Sequence, residues 1–159
     1  MKNIQPILLP AGGGSKIKVG GASLFVKLFS NACGGVMTIT EYRLPPNFPG
    51  PPPHKHRQFE HAWYVLRGEV NVQLGAEMKV LQPGSFLFIP KYTVHAFSNL
   101  CDHEAGLLAI DTPGGFEKYY GDLQDAIGDN KTVDQQIIRD IQLKYDTYPP
   151  DYVFESEQQ

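Results

Sequence analysis

Residues 54–68 read HKHRQFEHAWYVLRG and residues 83–99 read PGSFLFIPKYTVHAFSN, and the fold turns on these two stretches. Each holds an apolar run no longer than a strand, and each is bounded by residues that bend the chain, Gly68 after the first and Pro83-Gly84 before the second. Working outward, the same punctuation recurs at Gly34-Gly35 and Gly75. Strands are predicted over 23–29, 36–44, 62–66, 69–74, 77–81, 85–89, 93–99 and 105–110. So many short strands joined by tight turns make an all-β barrel or sandwich the expected architecture. The run LPPNFPGPPP at 44–53 cannot continue a central strand, because its prolines lack the ladder donor. It reads as a rigid surface loop that delivers the chain into His54.

Beyond Pro113 the period changes. Phe116, Tyr119, Tyr120, Leu123 and Ile127 recur at helical spacing and predict an amphipathic helix ending at Gly128. A second helix is predicted to start from a capping box of Thr132 and Gln135, with Val133, Ile137, Ile138 and Ile141 as its stripe, and to stop before Pro149-Pro150. Residues 155–159 are expected to fray.

The whole chain, 159 residues, suits one domain, with a barrel over about 15–112 and a helical tail over about 113–146. Fourteen Lys and Arg are scattered through a chain of net charge -3, so no basic face is offered to nucleic acid. No segment reaches the roughly 18 apolar residues of a membrane span, and the apolar run in residues 1–10, broken by Pro6 and Pro10, is too brief for a secretion signal. Two cysteines, Cys33 and Cys101, are too few for a disulfide framework. A cytoplasmic protein is expected.

His54 and His56 are two apart, so on a strand both imidazoles face one way, within reach of a common ion. Taken alone, the pair reads equally as two solvated histidines beside Lys55 and Arg57. Its surroundings resemble the paired motifs of the cupin superfamily. The first motif is H-x-H, three or four residues, Glu, six residues, Gly; His54, His56 and Gly68 match it, and His61 stands in the carboxylate slot. The second is Pro-Gly, five residues, Pro, x, Gly, two residues, His, three residues, Asn; Pro83, Gly84, Pro90, His95 and Asn99 match, with Tyr92 in place of Gly. The segment GGFEKYYGDL after the barrel also looks like the helical tail of small stand-alone bacterial cupins. The resemblance implies a double-stranded β-helix, or jelly-roll barrel, with a short C-terminal helical tail and one metal ion inside.

The ligand set implied is His54, His56, His61 and His95, with Glu60 as the alternative to His61. Side chains 60 and 61 face opposite sides of a strand, so only one can enter the barrel. If 61 is inward, Trp63 and Val65 share its side, while Ala62, Tyr64 and Leu66 pack against a neighbouring layer; a bulge after His56 would bring Glu60 in instead. Four neutral imidazoles would leave the ion's charge uncompensated, which weakens the case for Mg or Ca and leaves Fe, Mn, Ni, Cu or Zn.

By the same resemblance the activity expected is oxidative, of the kind carried out by quercetin or diketone dioxygenases on a small oxygenated organic substrate. A metal-dependent isomerase or lyase and a non-catalytic ligand-binding barrel are the alternatives. A homodimer is expected, with the N-terminal strand region and the C-terminal helices available to form it. Phe86, Phe88, Phe97 and Trp63 are candidates for a cavity wall or plain core. Tyr92 offers a hydroxyl at the pocket mouth or simple packing. Glu41 and Arg43 share one strand face, as acid-base groups if inward and as a solvated face otherwise. His103 reads as a loop residue, and Gly12–Gly14 as an N-terminal turn lacking the features of a phosphate loop.

Overall fold

Period-two burial runs through most of the central strands of the computed structural model, which describes residues 4–128 and 134–154. Eleven strands are present: β1 Ser15–Val19, β2 Ala22–Leu28, β3 Thr38–Leu44, β4 Lys55–His56, β5 Glu60–Arg67, β6 Val70–Leu74, β7 Glu77–Leu81, β8 Phe86–Ile89, β9 His95–Ser98, β10 Ala105–Thr112 and β11 Thr147–Tyr148. Two helices, α1 Phe116–Ile127 and α2 Gln135–Lys144, follow the main barrel strands. All eight expected strands are found, most within two residues of their predicted ends. The strand reading missed β1, a Lys-bearing edge strand that is largely exposed, and the two-residue β4 and β11.

Every pairing is antiparallel. A six-stranded sheet has the order β1-β2-β3-β10-β5-β8, and a smaller one the order β7-β6-β9. The bridges His54↔His95 and Phe48↔Asn99 tie the proline loop to the smaller sheet. Between the sheets lies an apolar core that includes Leu24, Leu44, Val65, Val70, Val72, Ile89 and Leu107, each at most 2% exposed. A jelly-roll barrel with a helical tail is the result.

Two backbone features hold the proline loop in place. Gly50 lies so close to β9 that a Cβ there would sit 1.6 Å from the Phe97 carbonyl oxygen, and its φ of +73° is also left-handed, so only glycine fits. Asn99, the last residue of the second motif, is fully buried; its side-chain amide donates to the carbonyls of Leu44, Pro45 and His103 at 3.2, 3.0 and 2.7 Å. This asparagine is therefore a latch between β3, the loop and the turn before β10.

Helix α1 ends at Gly128, as its sequence predicts, and buries Phe116, Tyr119, Tyr120 and Leu123 against the barrel. Glu117, in its first turn, anchors it by accepting hydrogen bonds from the Ser30 and Thr38 hydroxyls and from the Ser30 and Gly115 amides. The cap of α2 differs from the expected Thr132–Gln135 box: Asp134 is the N-cap, accepting from the Gln136 amide at 2.8 Å, while Thr132 and Val133 lie outside the described residues. Residues 155–159 also lie outside them.

The outer face of the large sheet departs from expectation. Tyr64 and Leu66 are exposed rather than packed under another layer, and Phe86 and Phe88 point outward beside them at 66% and 51% exposure, so neither lines a cavity. Strand parity is the reason. Ile89 pairs with inward His61, so residues 88 and 86 fall on the opposite side from it. On the same outer face Glu41 is neither a cavity acid nor a solvated charge. It is 8% exposed and joins Lys27 at 2.9 Å, Arg43 at 2.9 Å and Arg67 at 3.2 Å. Burial alone would raise the Glu41 carboxyl, but these three cations bring it down to about 2.

Candidate metal centre

Four segments carry the histidines. The proline loop ends at His54, β4 holds His56, β5 holds His61 and β9 begins at His95. His56, His61 and His95 are 1%, 3% and 2% exposed, and His54 is half-buried. His54, His56 and His95 bring ligand nitrogens within 4.8 Å of one another. His61 is outside that triad, with its ring centroid 4.8 Å from His56 and 5.3 Å from His95. Glu60 is half-buried, on the other side of β5.

Each of the four rings is fixed through the same nitrogen. Nδ1 bonds the Pro52 carbonyl in His54, the Asp146 carbonyl in His56, the Asp111 carboxylate in His61 and the Thr93 carbonyl in His95, every time at 2.8 Å. Carbonyls only accept, so Nδ1 carries the proton in His54, His56 and His95, and Nε2 keeps its lone pair. Burial is the main cause that lowers all three: His54 to about 4, His95 to about 2, and His56 furthest, with the neighbouring histidines adding to it. These rings are neutral at pH 7, the form that ligates metal.

One atom tests whether an ion belongs here. The Nε2 of His56 is buried and has no hydrogen-bond partner among the described residues. An orphaned basic nitrogen in a dry interior is costly, and a divalent ion that accepts imidazole removes the cost. A donor set made of imidazole, with every second nitrogen braced, fits a transition metal.

The histidines open onto a cavity of about 350 Å³ lined by His54, His61 and His95 at one end and by Tyr42, Phe48, Trp63, Phe97, Phe116, Tyr119 and Tyr120 around it. Among the described residues no Lys, Arg, Asp or Glu lines it; the polar side chains there are the histidines, three phenols and Gln142. Helix α1 forms part of the wall, and Phe116 sets its ring 5.3 Å from both His56 and His61. Tyr42 and Tyr120 are hydrogen-bonded to each other through their hydroxyls. Of the sequence candidates, Trp63 and Phe97 do line the cavity. Tyr92 does not: it is 46% exposed, has the left-handed φ of 65° that the motif's glycine would adopt, and packs edge-on against Phe154. His103 is exposed in its loop beside Asp102.

Residues 40–111 match the sequence model of the cupin domain. The chain carries a cupin domain. Its likeness to quercetin 2,3-dioxygenase of Bacillus subtilis (strain 168) is 31% identity over 72 residues, 45% of this chain and 21% of that enzyme, so the cupin spans about a fifth of that relative's length. Among solved structures, KdgF from Halomonas sp. superposes with a TM-score of 0.62 at 16% identity, covering 72% of this chain and 99% of that one. The polyketide cyclase RemF from Streptomyces resistomycificus gives 0.60 at 21%, covering 68% and 80%. At these identities the two structures speak to the fold. No helix among the described residues is long and apolar enough to cross a membrane.

Sequence reasoning missed two residues that brace the centre. Asp111 follows the predicted end of β10, yet it continues that strand's inward series Ala105, Leu107 and Ala109, where a charged residue is conspicuous. Asp146 acts through its backbone carbonyl, which no side-chain pattern reveals.

Proposed function

We propose that this cupin is a metal-dependent oxidoreductase of dioxygenase type, acting on a small, largely apolar and oxygenated organic molecule, with one divalent transition ion held by His54, His56, His61 and His95. The observation that carries this is the join between four braced imidazoles and an aromatic cavity without a charged carboxylate or cation in its wall. When bound, such an ion supplies Lewis-acid and redox chemistry. The chain's own residues do the rest. His54, His61 and His95 face the cavity, so a ligand there meets the centre directly. Trp63, Phe97 and Phe116 offer ring faces and edges to a planar molecule, and burial excludes water. The paired phenols of Tyr42 and Tyr120 can orient a substrate oxygen by hydrogen bonding.

The cavity wall favours this reading over a sugar isomerase or lyase. Beyond the ion itself, a sugar phosphate or a sugar acid calls for further cations or a dense polar lining for its hydroxyls, and the described wall has neither. The test is oxygen uptake by protein reconstituted in turn with Fe, Mn, Ni, Cu and Zn, offered catechols, flavonols and β-diketones. Uptake coupled to loss of one substrate class is the expected result. Tight binding of these compounds without uptake would leave a ligand-binding barrel instead.

We also propose that two copies pair through the outer face of β5 and β8, where Tyr64, Leu66, Phe86 and Phe88 are exposed together. Light scattering is expected to give the mass of two chains for the wild type and one chain for Phe86→Lys/Phe88→Lys; a single-chain mass for the wild type would contradict it.

A further inference from the structure

His61 and Asp111 form a pair that the metal reading does not by itself explain. They are direct cross-strand partners between β5 and β10, so their side chains share the inward face. Asp111 is fully buried, accepts from His61 Nδ1 at 2.8 Å, and leaves its second oxygen, Oδ2, with no partner among the described residues. A buried carboxylate with half its hydrogen-bonding capacity idle is expensive, and the positive charge it calls for can come only from the His61 side of the pair, through the ring it holds. Meanwhile four imidazoles around a divalent ion bring no negative charge, and His61 occupies the position where the motif places a glutamate.

The geometry points to Asp111 as that missing carboxylate moved outward by one residue: it orients His61 toward the ion and supplies, through the ring, the negative charge that a glutamate at position 61 would have supplied directly. Asp111 is thus a positioning residue, acting through His61. Its field also reaches the cavity floor. Burial first pushes the hydroxyls of Tyr42 and Tyr120 well above the usual phenol range; the negative charge of Asp111 comes next for Tyr42, and for Tyr120 it follows the neighbouring Tyr42. Both phenols therefore stay protonated, and since one donates to the other, the pair has one hydroxyl proton left to offer beside the centre.

This rests on the metal-binding reading above, and the test keeps the two apart. Co(II) is titrated into metal-free wild type, His61→Ala, Asp111→Asn and the double variant His61→Glu/Asp111→Asn, in competition with a chromophoric chelator, with thermal melts as a fold control. Asparagine still offers Nδ1 an oxygen, so Asp111→Asn removes charge while keeping the brace. Its Co(II) affinity is expected to fall about 10- to 100-fold, the usual cost of losing a ligand's outer partner. The double variant returns the carboxylate to position 61 and is expected to recover most of that loss, which a purely structural role for Asp111 would not allow. Should Asp111→Asn misfold, the double variant decides alone. Asp111→Asn binding Co(II) within about twofold of wild type, or a double variant no better than His61→Ala, overturns the inference while leaving the metal site standing. Failure of the wild type itself to bind Co(II) removes the metal reading and this inference together.

Discussion

The two faces of β5 are made of the same eight residues and share almost nothing. His61, Trp63 and Val65 face inward at 3%, 4% and 0% exposure, whereas Tyr64 and Leu66 stand in solvent at 46% and 40%. Strand periodicity alone assigns the roles: one residue of slip would carry the histidine out and Glu60 in. Ionisable groups follow the same division. Inside, histidines are stripped of water and stay neutral; outside, Glu41 is held charged by three cations. The inner face presents imidazole lone pairs that fit a cation, whereas the outer face holds its one buried carboxylate among three cations.

The largest effect that can break this contrast is on packing. Trp63→Ala opens a hole in the inward layer and is expected to cost about 3–5 kcal/mol of unfolding free energy, while Tyr64→Ser, one residue away, should change the stability of the isolated chain by about 0.5 kcal/mol or less. Urea unfolding of both variants, read at a concentration where only single chains are present, compares the faces directly. Similar losses from the two would mean that the register is wrong.

Acid titration sharpens the contrast next. In the metal-free protein His54 titrates near 4 when folded and near 6.5 when unfolded, so the unfolded chain takes up its proton first. Stability from His54 is complete above pH 6.5 and is lost as pH falls to 4, while that from His95 goes on falling to about 2, by about 1.4 kcal/mol per pH unit for each. Glu41 moves from 4.5 unfolded to about 2 folded, so its contribution is present above pH 4.5 and lost as pH falls toward 2. The midpoint is expected to begin falling near pH 6.5 and to go on falling through the Glu41 window below 4.5. His54→Gln should shallow the fall above pH 4 and Glu41→Gln only the fall below 4.5; a Glu41→Gln variant that alters the slope above about pH 5 would contradict the separation.

The smallest expected effect concerns the turn before β9. Tyr92 bears left-handed backbone strain where the motif has glycine, and returns some of it by packing on Phe154. Tyr92→Gly should therefore shift stability by only about 1 kcal/mol in either direction and leave metal affinity unchanged, as calorimetry and Co(II) titration would check.

Much of this was legible in the chain before any coordinates. Proline and glycine mark the joints because they act locally, and so the eight longer strands between 22 and 112 and the end of α1 at Gly128 were readable. The two histidine-bearing stretches carry the family resemblance on spacing alone. What was hidden depends on partners far apart in sequence. Asp111 acquires its meaning only from a register that sets it opposite His61, fifty positions earlier, and Asp146 braces His56 only because β11 pairs with β4. The outward direction of Phe86 and Phe88 likewise follows from pairing with β5, since an aromatic run looks the same whichever side it faces. Strand β1 escaped because its lysines leave no apolar run to notice.

The central claim is that the inward histidines of the barrel, and not Glu60, hold the ion. Elemental analysis of purified wild type beside His61→Ala and Glu60→Ala tests it most directly. The account predicts close to one transition ion per chain in the wild type and in Glu60→Ala, and a clear loss in His61→Ala. Metal lost in Glu60→Ala but retained in His61→Ala, or a wild type that holds none after incubation with Fe, Mn, Ni, Cu and Zn, would contradict it.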